Sequence, residues 1–215
     1  MIMDEMIRAA EPHVLRRIWV ISDLQQAYPE RATHCMTQAV SDFLQMDRRV
    51  DAICYLGDSV EGHDLGFIHE MSEMQARELS KIDAPVYYAI GNHDFDYFAF
   101  HREHLPGMVI PFMEYMKDKP QWHMPPSFLD MMYTVDMGEF VMCLLTDHAD
   151  PSGRWYTTHG CVRGDEAAYP YGVEDYKKVW DRIAAIPKPV ITLSHYSFAG
   201  GNRAAPLFDR YLPLP

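Results

Sequence analysis

Apolar residues along this chain fall into short runs that alternate with stretches of helical spacing. Residues 18–22, 52–56, 85–90, 131–136, 140–146 and 189–194 read as strands: each is short, mainly apolar and closed off by polar or turn-forming residues. Residues 30–45, 67–80 and 173–186 repeat apolar positions at helical spacing. In the first of these, Ala39, Val40, Phe43 and Leu44 share one side. Strand and helix in alternation predict an α/β layer architecture in one domain spanning 1–215. Met137-Gly138-Glu139 between two runs predicts a hairpin turn. The rhythm breaks twice. Residues 95–128, rich in proline and aromatic side chains, read as a cap-like insertion. Residues 147–172 read as a long active-site loop, since an unpatterned connection of that length inside a compact domain is usually functional or mobile.

The strand ends carry the chemistry. Asp23, Asp58, Asn92 with His93, and His195 each follow a predicted strand, where ligands of open α/β sheets gather. Asp and Asn are common capping and turn residues, which would explain one such position. Four in register exceed what capping explains. Carboxylates, an amide oxygen and an imidazole suit a divalent cation such as manganese, iron or zinc.

Charge narrows the partners. A net charge of -12 argues against general nucleic-acid or anionic-membrane binding, which needs a positive surface. Acidity alone is also ordinary for a soluble protein. With 48% of 215 residues apolar, the chain can bury a substantial core. Cys35, Cys54, Cys143 and Cys161 form no CxxC pair and read as buried thiols in a reducing compartment. Asp4, Glu5, Arg8 and Glu11 stand where a signal peptide would be apolar, and no run approaches the roughly 18 apolar residues of a membrane span. A cytoplasmic location is the resulting expectation.

Ser22-Asp23-Leu24-Gln25, Leu56-Gly57-Asp58, Gly91-Asn92-His93-Asp94 and Ser194-His195 resemble, in order, the D-x-H, GD, GNH(D/E) and lone-His motifs of the calcineurin-like metallophosphoesterase superfamily. The resemblance implies a four-layer α/β/β/α sandwich of two mixed sheets flanked by helices. It implies two divalent metal ions, with Asp58 bridging, Asp23 on the first, and Asn92 and His195 on the second. His93 would protonate the leaving oxygen, with Asp94 orienting its ring. Two cations a few ångströms apart lower the pKa of a bridging water and clamp phosphate oxygens for in-line attack. Manganese is the first expectation; iron, zinc or magnesium also fit.

Two departures bear on that reading. Gln25 stands where the D-x-H histidine falls. Its carbonyl is either a weaker ligand of the first metal or a hydrogen-bonding neighbour of it. The Asp-x-Gln pattern resembles the manganese-dependent ADP-ribose and CDP-alcohol pyrophosphatase branch, as do the aromatic residues following Gly91-Asn92-His93-Asp94. The second departure is the terminal G-H-x-H motif, absent from a chain that ends twenty residues past His195. Each metal is then short of one ligand, and truncation with loss of C-terminal strands is the expected reason. Asp209 stands in no such motif. His63, His148 and His159 are expected as loop histidines rather than replacements.

Phe95, Tyr97, Phe98, Phe100, Phe112, Tyr115, Trp122 and Phe128 offer either a stacking surface for a substrate ring or a small aromatic core under the cap. Arg154, Trp155, Tyr156, Arg163 and Tyr169 suit a phosphate plus a ring. The expected function is metal-dependent hydrolysis of a phosphodiester, phosphomonoester or nucleotide pyrophosphate, with a small phosphate ester or nucleotide as substrate. The rival is a scaffold or binding protein on the same fold with a degraded metal site. A nuclease of the same superfamily is disfavoured by the acidic charge.

Overall fold

The computed structural model describes residues 14–25, 28–46, 48–62, 64–101, 109–149, 155–157, 168–170 and 173–195. The three expected helices form within two residues of their expected bounds. Helix α1 (Pro29–Gln45) starts on a proline, whose fixed φ and missing N–H suit the first turn. Its buried stripe is Ala32, Met36, Val40 and Phe43, whereas Leu44, expected on that side, is exposed. Helix α2 (Leu65–Leu79) is capped by the Asp64 carboxylate, which accepts the Phe67 N–H at 3.0 Å. After the short helices α3 (Asp96–Phe100) and α4 (Pro111–Met116) comes α5 (Val173–Ala184).

Strands β1 (Ile18–Ile21), β2 (Ala52–Tyr55), β3 (Val86–Tyr88) and β4 (Trp122–His123) form a parallel sheet in that order. Strands β5 (Met132–Asp136) and β6 (Val141–Leu145) make the expected hairpin, with Gly138 at φ +93° in its turn. Three short strands follow: β7 (His148–Ala149), β8 (Trp155–Thr157) and β9 (Ala168–Pro170). They pair as a small third sheet inside the stretch expected to be a long active-site loop. Strand β10 (Val190–Ser194) then runs parallel to β6, giving a mixed second sheet in the order β10-β6-β5.

Alternation along the strands builds the layers. Ala52 and Cys54 of β2 face the second sheet, packing with Leu56 and Ala89 against Phe140, Met142 and Leu144. Ile53 and Tyr55, one residue out of phase, face the helices and join Met36, Val40, Ile68 and Met71. On the far side of the second sheet, Cys143 and Leu145 meet Val179 and Ile183 of α5. The result is the expected four-layer α/β/β/α sandwich. Over the described strands its first sheet is wholly parallel and its second mixed.

Residues 95–128, expected as a cap, contribute to the main core and to the sheet itself. Phe95, Phe98, Phe112 and Trp122 are buried in the same cluster as Tyr55 and Tyr88, and Trp122 opens β4. Ring centroids lie 5.0 Å apart for Tyr88–Phe112 and 5.8 Å for Phe112–Trp122. An open cavity of about 470 Å³ on this side is lined by His69, Tyr97, Phe98, Glu114 and Tyr115 among others. Cys54 and Cys143 are buried as expected, whereas Cys35 is exposed; Cys161 lies outside the described residues. No described helix is long and apolar enough to cross a membrane.

Candidate metal centre

The loops leaving β2 and β3 meet backbone to backbone. A Cβ on Gly57, which sits at φ +79°, would lie 2.3 Å from the Gly91 nitrogen, and one on Gly91 would lie 2.3 Å from Asp58 Oδ1. Only glycine at both positions permits this approach. The buried Asp94 carboxylate then ties the loops together, accepting the N–H of Gly91 (2.7 Å), Asp58 (3.1 Å) and Ser59 (3.2 Å), and the Ser59 hydroxyl (2.9 Å). Burial, followed by the charge of Asp58, pushes the Asp94 carboxyl up, to about 6, against these hydrogen bonds.

Asp58 is 1% exposed and held at φ +53°. Its Oδ1 accepts the His93 N–H at 2.8 Å, while its Oδ2 meets Gln25 Nε2 at 3.2 Å and His195 Nε2 at 3.1 Å. Asn92 lies between Gly91 and His93, whose N–H groups are both bound, so its backbone is fixed at the edge of this cluster. Across the cleft Asp23 leaves β1 at φ +58°, its N–H on the Gly57 carbonyl at 3.2 Å and its carboxylate taking the Ser22 hydroxyl.

His195 follows β10 and its side chain is 2% exposed. Its Nδ1 donates to the Leu56 carbonyl at 2.7 Å, which turns Nε2 toward Asp58. Burial pulls this imidazole down, but the hydrogen bond and charge of Asp58, with Asp147 and Asp23, outweigh it and push it up to about 9.

The donor set fits a divalent cation. One ligand atom from each of Asp23, Asp58 and His195 falls within 4.8 Å of the others. A histidine that donates one ring N–H to a backbone carbonyl and turns the other nitrogen into a carboxylate cluster has the arrangement of a metal ligand. Gln25 Oε1 is buried without a hydrogen-bond partner, a costly state that a cation would relieve.

The structure changes the expected role of one carboxylate. Asp94 was expected to orient the His93 ring, yet its oxygens are taken up by the β2 and β3 loops. The carboxylate on the ring is Asp96, with Oδ2 2.6 Å from His93 Nδ1. Sequence reasoning also passed over Asp147, buried directly after β6 and near enough to His195 to raise its pKa. The available signal was the one used elsewhere, a carboxylate at a strand end. His148 opens β7, and Trp155, Tyr156 and Tyr169 lie in β8 and β9. His63, His159, Arg154, Arg163 and Asp209 lie outside the described residues.

A two-sheet sandwich with carboxylates and an imidazole gathered at its strand ends is the frame of a metal-dependent hydrolase. The sequence profile of the calcineurin-like phosphoesterases matches residues 16–211, and the chain belongs to that family. Metal-dependent phosphoester hydrolysis is the chemistry of the family. Among solved structures the chain is similar to the crystal structure of a dimetal phosphatase from Danio rerio, with 14% identity and a TM-score of 0.52. The match covers 85% of this chain and 70% of that one. At that identity the likeness speaks for the fold. A search of curated proteins returned no match.

Proposed function

We propose that the chain hydrolyses phosphodiester, phosphomonoester or nucleotide pyrophosphate bonds with two divalent cations, manganese first among them. The observation carrying this reading is the convergence of Asp23, Asp58 and His195 within 4.8 Å at the ends of strands from two sheets. Asp23, Gln25 and Asp58 hold one cation, and Asp58, Asn92 and His195 the other. Such a pair, when bound, lowers the pKa of water and neutralises charge on phosphate oxygens.

The protein's own groups supply position and a proton. His93 is anchored through its N–H to Asp58, so its ring leaves the backbone beside the shared carboxylate, where it protonates the leaving oxygen. Asp94 keeps the β2 and β3 loops in contact and thereby holds Asp58, Asn92 and His93 in register. The dimetal description of the Danio rerio neighbour agrees with two cations. The Asp-x-Gln pattern at Asp23 and Gln25 is what favours, through its resemblance to the pyrophosphatase branch, a nucleotide pyrophosphate such as ADP-ribose as substrate.

The test is manganese binding by calorimetry together with hydrolysis of bis(p-nitrophenyl) phosphate, p-nitrophenyl phosphate and ADP-ribose by the full chain. Manganese-dependent cleavage of at least one, abolished together with metal binding in Asp58→Asn, is the expected result. A chain that binds manganese and cleaves none of the three is a binding protein instead.

A further inference from the structure

We propose that Asp96 is the positioning residue of the proton-delivery step, fixing the His93 ring through Nδ1 so that Nε2 is the nitrogen that meets the leaving oxygen. This rests on the phosphoesterase reading of the site. The geometry comes from the local backbone. Residues His93–Phe95 form a single 3-10 turn, and Asp96 N–H closes it on the His93 carbonyl. A 3-10 helix has three residues per turn, so side chains at i and i+3 eclipse. The Asp96 carboxylate is thereby brought onto the His93 ring at 2.6 Å.

Both groups are partly open to solvent, with 18% and 22% of the side chains exposed, as a pair on a cleft wall should be. The anchor is double. The His93 backbone is pinned to Asp58 by its N–H, and its ring is pinned to Asp96 by Nδ1, so neither end of the side chain turns without breaking a hydrogen bond. An acceptor on Nδ1 selects the tautomer with hydrogen there and stabilises the imidazolium. In the reaction a water oxygen bonds to phosphorus as the bond from phosphorus to the leaving oxygen breaks, its electron pair stays on that oxygen, and the proton on His93 Nε2 passes to it, leaving hydrogen on Nδ1; the proton given up by the water restores the ring through solvent. Asp96 holds the ring through Nδ1 and exchanges no proton with the substrate. Asp94, adjacent to His93 and the nearer choice by sequence, cannot serve because its oxygens already hold Gly91, Asp58 and Ser59.

The deciding variant is Asp96→Asn, which keeps the size and turn chemistry of the side chain but removes the charge. In the metal-free full chain, long-range nitrogen-proton NMR of the His93 imidazole should show hydrogen on Nδ1 in the wild type and a shift of the tautomer toward Nε2–H in Asp96→Asn. In the manganese-loaded protein, kcat for a phosphodiester with a poor, alkyl leaving group should fall about 100-fold with KM unchanged, the size typical of general acid catalysis. Cleavage of the p-nitrophenyl ester, whose leaving group needs no proton, should change less than about threefold. Asp96→Glu should restore part of the loss. Equal losses on both esters, a lost manganese affinity or an unchanged tautomer would overturn the proposal and leave Asp96 a structural residue of the turn. If the wild type cleaves neither ester nor ADP-ribose, the phosphoesterase reading fails, and Asp96 positioning for proton delivery falls with it. The tautomer result then speaks only for the His93–Asp96 contact.

Discussion

On the β2–β3 flank of the metal cradle the backbone groups next to the ligands are bound within the protein, whereas on the β1–β10 flank the ligands follow strands at sheet edges. Asp58, Ser59, Gly91 and His93 each place an N–H on a carboxylate, and Gly57 and Gly91 touch through their backbones. Among the described strands β1 and β10 stand at the ends of the sheet orders, and Val20 and Ile191, on the faces turned toward the space between sheets, are 47% and 43% exposed. The β2–β3 flank is tied by buried N–H groups on carboxylates, while the β1–β10 flank reaches the site from the ends of the sheet orders of the described strands, so the second has fewer neighbours to hold it when the cation is absent.

Five outcomes test that contrast. Gly91→Ala drives a Cβ into Asp58 and should cost about 3 kcal/mol in urea unfolding, as overpacking against unyielding neighbours does. Manganese at one hundred times its dissociation constant should add about 2.7 kcal/mol for each occupied site to wild-type stability and nothing to Asp58→Asn. Hydrogen exchange should slow on β1 and β10 more than on β2 and β3 when the metal is added. Uniform slowing on both flanks would remove the distinction. Asp94→Asn takes the charge from a buried acceptor of three N–H groups and should cost about 2 kcal/mol by urea midpoint. Val20→Thr, on the open flank, should change stability by less than about 0.5 kcal/mol despite lying in a strand.

The sequence disclosed what depends on runs and their ends. Strands were legible because apolar stretches stop at polar residues, and Asp23, Asp58 and His195 were legible because the sheet's chemistry lies at those stops. Less was visible where chain geometry, not pattern, decides. Asp96 meets His93 only because three residues take a 3-10 turn, and two carboxylates within three positions of a histidine cannot be ranked without knowing which turn forms. The aromatic stretch from 95 to 128 hid its place because rings suited to a pocket are equally suited to a core, and Phe112 and Trp122 close the helix side of the sheet. Strands β7 to β9 are two or three residues long, too short to show a period.

The left-handed backbone at Asp23 and Asp58, φ +58° and +53°, sets the site against the fold. An L-residue in that region is strained by about 1 kcal/mol, and glycine is not. Replacing Asp23 with glycine would relieve that strain while removing a candidate ligand, whereas at Asp58 the same change would also strip the acceptor from the His93 N–H, Gln25 and His195. At Asp23 the carboxylate is thus carried on a backbone held away from its easier shape.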